Sequence, residues 1–293
     1  MTAQHPAITA GRTAVITGAA SGIGLATGVR LAGLGLNVVL ADVPSAPLNY
    51  AASAVLAAAA HGAQVEAIAT DVSDHAQVEA LRDATLKRFG DVALLMNNAG
   101  VGRGGSAYEN LDGWRRILAV NLMGVLHGTQ AFTQAMLDLG RPAAIVNTGS
   151  KQGITMPPGD TAYNASKAGI KALTEGLQHS LRNVAGSQVT AHLLVPGFTF
   201  TGMTRPGAGE KPPGAWTGEQ VADFMLARMA AGDFYIICPD NDVTREIDNA
   251  RMTWTMQDIT QGRPPLSRWH PDYADAFAAF LKDETGPKDE TGG

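Results

Sequence analysis

The chain has 293 residues, 45% of them hydrophobic and 17% charged, with a formal net charge of −5. This composition supports a sizeable core and excludes a chain disordered throughout, and the acidic balance gives no footing to nucleic acid or an anionic membrane as partner. A single cysteine, Cys238, rules out an intrachain disulfide and suits a reducing compartment; with no leader-like start and no apolar run near the ~20 residues of a membrane span, a cytoplasmic protein is expected.

The first element sets the theme. Ala14-Val15-Ile16 is a short apolar run, followed at once by Thr17-Gly18-Ala19-Ala20-Ser21-Gly22-Ile23-Gly24 and by a helical pattern from Leu25 to Leu34. Strand, glycine turn and helix in that order form a phosphate-binding context. Glycine allows positive φ and close ligand approach, and the free N–H groups and dipole of the helix start favour an anion such as a pyrophosphate. The spacing is G-x-x-x-G-x-G, a departure from the common G-x-G-x-x-G fingerprint. A second strand, Val38 to Ala41, ends in Asp42. An acidic residue about twenty positions after such glycines accepts hydrogen bonds from an adenosine ribose; the plainer alternative is a cap on the next element.

Pro47 to Ala60 reads as a helix stopped by Gly62, and Val65 to Ala69 as a third strand leading into Asp71-Val72. Ser73 is expected to cap a helix with Val78, Leu81, Thr85 and Phe89 on one face, ended by Gly90. A fourth strand, Val92 to Met96, runs into Asn97-Asn98-Ala99-Gly100. One long helix is expected over 111–139, with Asn121 inside it as either a core amide or a kink. Ala143 to Val146 is a fifth strand ending in Asn147-Thr148-Gly149-Ser150; 152–159 is expected to be a loop, and Asp160 or Thr161 to open a helix to Val184.

Val189 to Val195 is a sixth strand, broken by Pro196-Gly197. The glycine- and proline-rich stretch 199–216 is expected to be a mobile substrate loop. Thr217 to Gln220 has capping-box spacing for a helix to Ala231, and Phe234 to Cys238 is a seventh strand. An extension follows over 239–282. Val243, Ile247, Ala250 and Trp254 repeat at helical spacing, with Arg245, Glu246, Asp248 and Arg251 off that stripe. Pro271 opens a last helix carrying Tyr273, Phe277 and Phe280. These stripes need cover from the core's edge, a second subunit or the pocket mouth. The repeated KDETG marks a tail, 284–293, expected to be disordered. Strands and helices alternate, and the strands are nearly continuously apolar. The fold class is therefore α/β: one domain over 1–293, a doubly wound, mostly parallel seven-stranded Rossmann-like sheet with helices on both faces and a C-terminal helical extension.

Tyr163 and Lys167 stand four apart on one helix, so they share a face with Cβ atoms about 5–6 Å apart. An ammonium beside a phenol lowers its pKa toward the working range of a general acid–base. Alone, the pair reads more readily as a surface tyrosine over a lysine stem. Ser150, however, ends a strand thirteen residues earlier, where open α/β sheets place ligands. No His, Cys or carboxylate cluster has metal-ligand spacing, so no metal is expected.

The glycine turn, Asn97 to Gly100, Asn121, Ser150, Tyr163 and Lys167, in this order and spacing, resemble the short-chain dehydrogenase/reductase family in its compact branch, over residues 12 to about 203. The resemblance implies that Tyr163 exchanges a proton with the substrate oxygen, and that Lys167 lowers its pKa and holds the nicotinamide ribose. Ser150 would hydrogen-bond the substrate oxygen, and Asn121 would kink its helix and hold a proton-relaying water. It also implies a cofactor cleft formed by Gly18, Ser21, Gly22, Ile23, Gly24, Asp42, Asp71, Val72, Asn98, Ala99 and Gly100, closed by Pro196, Gly197 and Thr201. Gly149 departs from a family position where serine is common. NAD is the expected cofactor, because Asp42 would repel a 2′-phosphate. The implied activity is interconversion of a secondary alcohol and a ketone by hydride transfer. Alternatives on the same fold are an epimerase or dehydratase, and a silent dinucleotide-binding regulator. Val101 to Gly105, Gln152 to Pro158 and 202–216, with Met156, Met203 and Trp216, are the expected walls of a moderately apolar substrate pocket. A homodimer or homotetramer is expected from the family.

Overall fold

The computed structural model describes residues 4–202 and 209–286. The strands are β1 (Thr13–Thr17), β2 (Asn37–Asp42), β3 (Val65–Ala69), β4 (Leu94–Asn97), β5 (Ala143–Thr148), β6 (Val189–Val195) and β7 (Tyr235–Ile237). Every residue of β1, β4 and β5 is buried. Strands apolar on both faces must lie inside a sheet covered on both sides, and they do. The order is β3-β2-β1-β4-β5-β6-β7, all parallel. Strand succession reverses between β1 and β4, where open α/β sheets form a ligand crevice at their carboxyl ends.

The helices are α1 (Gly22–Gly33), α2 (Ala46–Ala57), α3 (His75–Phe89), α4 (Leu111–Ile117), α5 (Gly124–Asp138), α6 (Gln152–Thr155), α7 (Thr161–Arg182), α8 (Gly218–Ala230), α9 (Arg245–Thr260) and α10 (Ala274–Thr285). Helices α1, α2 and α8 cover one face over Ile16, Leu40 and Met96; α3, α5 and α7 cover the other over Val15, Leu95 and Ile145. A smaller cluster, with Ile170, Leu193 and Val195 at its centre, takes in Ile154 of α6 and Met252 of α9. No described helix is long and apolar enough to cross a membrane.

Several sequence expectations need correction. Asp74, not Ser73, caps α3, accepting from the Ala76 N–H at 3.0 Å; Ser73 is taken up by Asp71, donating its hydroxyl at 2.7 Å. The long helix over 111–139 is interrupted by a π-helical turn, Leu118–Met123, with Asn121 fully buried within it. The expected loop 152–159 begins with the single turn α6, which ends at Met156 with φ of +45°. Asp248, placed off the apolar stripe of α9, is buried. Short 3₁₀ turns, Ser267–Trp269 and Pro271–Tyr273, precede α10. Glu284 and Thr285 are helical, while 287–293 of the expected disordered tail lie outside the described residues. In the expected mobile loop, 203–208 also lie outside them, but its ends are pinned: Phe200 N–H donates to Trp216 O at 2.8 Å and Trp216 N–H to Phe198 O at 2.9 Å.

Candidate active site

The glycine turn needs its glycines for two different reasons. Gly18 and Gly22 have φ of +64° and +57°, a region costly for other residues. A Cβ on Gly18 would also lie 2.6 Å from Ala99 Cα, so the turn and the Asn98-Ala99 segment meet backbone to backbone. Asn98 holds them together. Its amide donates to Thr17 O at 3.2 Å and Gly18 O at 3.1 Å, and its carbonyl accepts from the Thr148 hydroxyl at 3.3 Å. Below it, Asn97 donates to Asn147 at 2.9 Å and Asn147 to Thr174 at 3.1 Å, tying β4, β5 and α7.

Above this floor opens a cleft of about 790 Å³. Of the expected cofactor residues, Gly18, Ser21, Gly22, Ile23, Asp42, Asp71, Val72, Asn98, Ala99, Gly100, Pro196, Gly197 and Thr201 line it, together with Ser150, Tyr163 and Lys167. Two expected residues do not. Gly24 packs behind the turn, where a Cβ would meet Gly18 O at 2.4 Å. Asn121 spends its side chain on the scaffold, accepting from Val101 N–H at 2.8 Å and donating to Val101 O at 2.9 Å and Ser166 Oγ at 3.3 Å.

The cleft fits a dinucleotide. Ser21 at the N-cap makes no side-chain cap, and the first turn of α1 has no acidic residue, so its N–H groups are left for an anion. Asp42 does not cap α2, whose N-cap is Ser45. Its carboxylate accepts from Ala20 N–H at 2.9 Å and Val43 N–H at 2.8 Å, which fixes it at the cleft with acceptor capacity to spare.

Tyr163 and Lys167 share the cleft-facing side of α7. Asp160 caps that helix and accepts from the N–H groups of Tyr163, Arg103, Gly104 and Gly105, at 3.0–3.2 Å. Burial pushes the Tyr163 phenol above its ordinary value; a hydrogen bond with Ser150 works the other way, and the Asp160 charge adds to the rise. The expectation that Lys167 lowers Tyr163 is thus not met: the net shift is upward, and the one lowering influence is the hydrogen bond with Ser150. The Lys167 ammonium donates to Thr148 O at 2.8 Å and stands 5.6 Å from the Tyr163 ring centroid. Burial brings Lys167 down to about 8.

The model of the family described as "short chain dehydrogenase" matches residues 12–211. The 1-deoxy-11-beta-hydroxypentalenate dehydrogenase of Streptomyces avermitilis is 36% identical over 251 residues, 83% of this chain and 90% of that protein. The chain belongs to the short-chain dehydrogenase family. A short-chain dehydrogenase/reductase from Burkholderia phymatum in complex with NAD is similar in structure, with TM-score 0.78 and 38% identity over 87% of this chain and 96% of that one. A metagenomic short-chain oxidoreductase in complex with NADP has TM-score 0.66 and 28% identity over 79% and 98%. This short-chain dehydrogenase is thus an oxidoreductase acting on CH–OH groups.

Of the expected substrate walls, Val101, Gly102 and Arg103 line the short-chain dehydrogenase cleft, joined by Arg116 and Thr199. Trp216 packs against Phe224 instead, with ring centroids 5.7 Å apart, and Met203 lies outside the described residues. Asp160, which the sequence showed only as a helix start, ties the cleft-lining segment at 103 to the start of α7. Its long-range bonds to 103–105 have no local signature.

Proposed function

We propose that this short-chain dehydrogenase interconverts a secondary alcohol and a ketone with NAD as cofactor and Tyr163 as the general acid–base. The observation that carries the reading is the meeting of Ser150, Tyr163 and Lys167 in the cleft that the glycine turn and Asp42 also line. When bound, the nicotinamide dinucleotide accepts a hydride in oxidation and donates one in reduction.

On oxidation, Tyr163 Oη takes the proton of the substrate hydroxyl, while Ser150 Oγ hydrogen-bonds the same oxygen and orients it. The Lys167 ammonium, held on Thr148 O, favours the phenolate that burial opposes. On reduction Tyr163 returns the proton to the carbonyl oxygen. Asn121 contributes as a clamp on Val101, and its place in a proton relay toward Lys167 is part of the proposal.

Asp42 supports NAD, because a 2′-phosphate beside that carboxylate would meet like charge, and neither Ala19-Ala20-Ser21 nor Val43 supplies a cation. The Burkholderia neighbour with NAD supports the same choice, and the name of the Streptomyces relative supports a hydroxylated substrate. Cytoplasmic assembly as a homodimer or homotetramer belongs to this reading, with light scattering as its check. The decisive experiment follows nicotinamide absorbance across a panel of secondary alcohols with NAD and NADP. Turnover with NAD preferred, and a preference narrowed in Asp42→Ala, is expected. A wild-type preference for NADP would remove the Asp42 assignment.

A further inference from the structure

Lys151 directly follows Ser150 and is the residue before α6. Its ammonium is 2.6 Å from Asp248 Oδ2 and 3.3 Å from Asp240 Oδ2; Lys151 is 19% exposed and each aspartate side chain 6%. These three residues come from three places. Asp240 follows β7 and also accepts from Phe198 N–H at 3.2 Å, next to the cleft residues Pro196 and Gly197. Asp248 belongs to α9, in the extension beyond the region matched by the family model. Charges this deeply placed are retained at a desolvation cost, and removing one partner strands the other.

Ser150 and α6 are in turn a single unit. The Ser150 hydroxyl accepts from Gln152 N–H at 3.2 Å, and its carbonyl from Gly153 N–H at 2.9 Å. The turn α6 is also pressed onto α7: a Cβ on Gly153 would lie 2.5 Å from the Lys167 carbonyl carbon. Ile154 and Met252 pack in the same apolar cluster, so α6 is held between α7 and α9. A single helical turn cannot stabilise itself. The position of Ser150 therefore depends on what grips the turn.

We propose that Asp248 is a positioning residue: through its ion pair with Lys151, the C-terminal extension holds α6 and thereby sets the Ser150 hydroxyl against Tyr163. The extension then completes the active site instead of merely covering the core's edge. This inference rests on the proposed role of Ser150, and its test separates the two.

Asp248→Asn keeps the side chain's shape and leaves Lys151 its second partner, Asp240. In this variant kcat is expected to fall between about 10- and 100-fold, the scale of a misplaced catalytic group, with the NAD dissociation constant within about twofold of wild type. In a Ser150→Ala background the same substitution should cost almost nothing further, because its route is already cut. Hydrogen exchange gives a reading independent of turnover: amides of 151–156 should exchange faster in Asp248→Asn while those of β1 and α1 do not change. If Asp248→Asn does not fold, Lys151→Arg, which keeps the charge but not the geometry, enters the same cycle. An undiminished kcat, an equal loss in the Ser150→Ala background, or unchanged exchange over 151–156 would overturn the inference. Lack of turnover by the wild-type enzyme would count against the activity reading, and the exchange result would still decide the role of Asp248.

Discussion

Lys167 is the residue whose role and whose cost to the fold are most closely linked. Its side chain is buried, one carbonyl holds its ammonium, and its pKa of about 8 lies well below the ordinary lysine value. Folding therefore disfavours the charged form. The penalty is present in full below about pH 8, where both folded and unfolded chains are protonated, and it is lost as pH rises toward the unfolded value near 10.4. A shift of this size corresponds to roughly 3 kcal/mol. Lys167→Met is expected to be inactive yet more stable than wild type by about 1–3 kcal/mol at pH 7, less the lost bond to Thr148 O. The gap should close by about pH 10 in urea titrations at the two pH values. A variant less stable than wild type at pH 7 would show that the ammonium is a net stabiliser in this cleft. The stability–function conflict seen at active sites is then carried here by one amino group.

At the scale of elements, Asp160 joins α7 to the segment after β4. One carboxylate serves the helix cap and three N–H groups of 103–105, where Arg103 sits at φ of +66°. An ordinary N-cap is worth about 1 kcal/mol, and stranding further donors adds to it. Asp160→Ala should therefore cost about 2 kcal/mol or more in urea unfolding, while Asp160→Asn should cost less. A loss below about 0.5 kcal/mol in the alanine variant would mean that the loop is held by something else. The same element shows what sequence can and cannot disclose. Periodicity places Tyr163 and Lys167 on one face, and an apolar strand ending in Ser150 places that hydroxyl at the carboxyl edge, because both signals are local. The break at Asn121 is half legible: a polar residue inside an apolar helix suggests a core amide or a kink, but that it takes the form of a π-helical turn clamped to Val101 and Ser166 shows only in the long-range bonds. Asp248 escapes for a related reason: a carboxylate in a polar helix reads as solvated until Lys151, far away in sequence, is seen opposite it.

Across the whole molecule, the extension meets the sheet-bearing part of the chain at α6, where Met252 packs in one cluster with Ile154 and Asp248 pairs with Lys151. Trp254 of α9 is buried beneath Phe277 and Phe280 of α10, with ring centroids 5.3 and 5.2 Å away, and its indole N–H donates to Ser267 at 2.8 Å. Deleting Pro264 onward strips this cover and removes Ser267. Losing the packing of one large aromatic costs about 3–5 kcal/mol, so the melting temperature should fall by roughly 6–15 °C, with impaired turnover. Deleting only Pro287 onward should change neither. Unchanged melting and kinetics in the shorter chain would make the extension an appendage.

The central claim is that Tyr163 carries the proton in a dinucleotide-dependent alcohol oxidation, and Tyr163→Phe tests it most directly, because it removes one hydroxyl and keeps the ring. Calorimetric titration should show NAD bound as in wild type, while alcohol turnover falls about 10²-fold or more; turnover near the wild-type rate in a variant that still binds NAD would contradict the account.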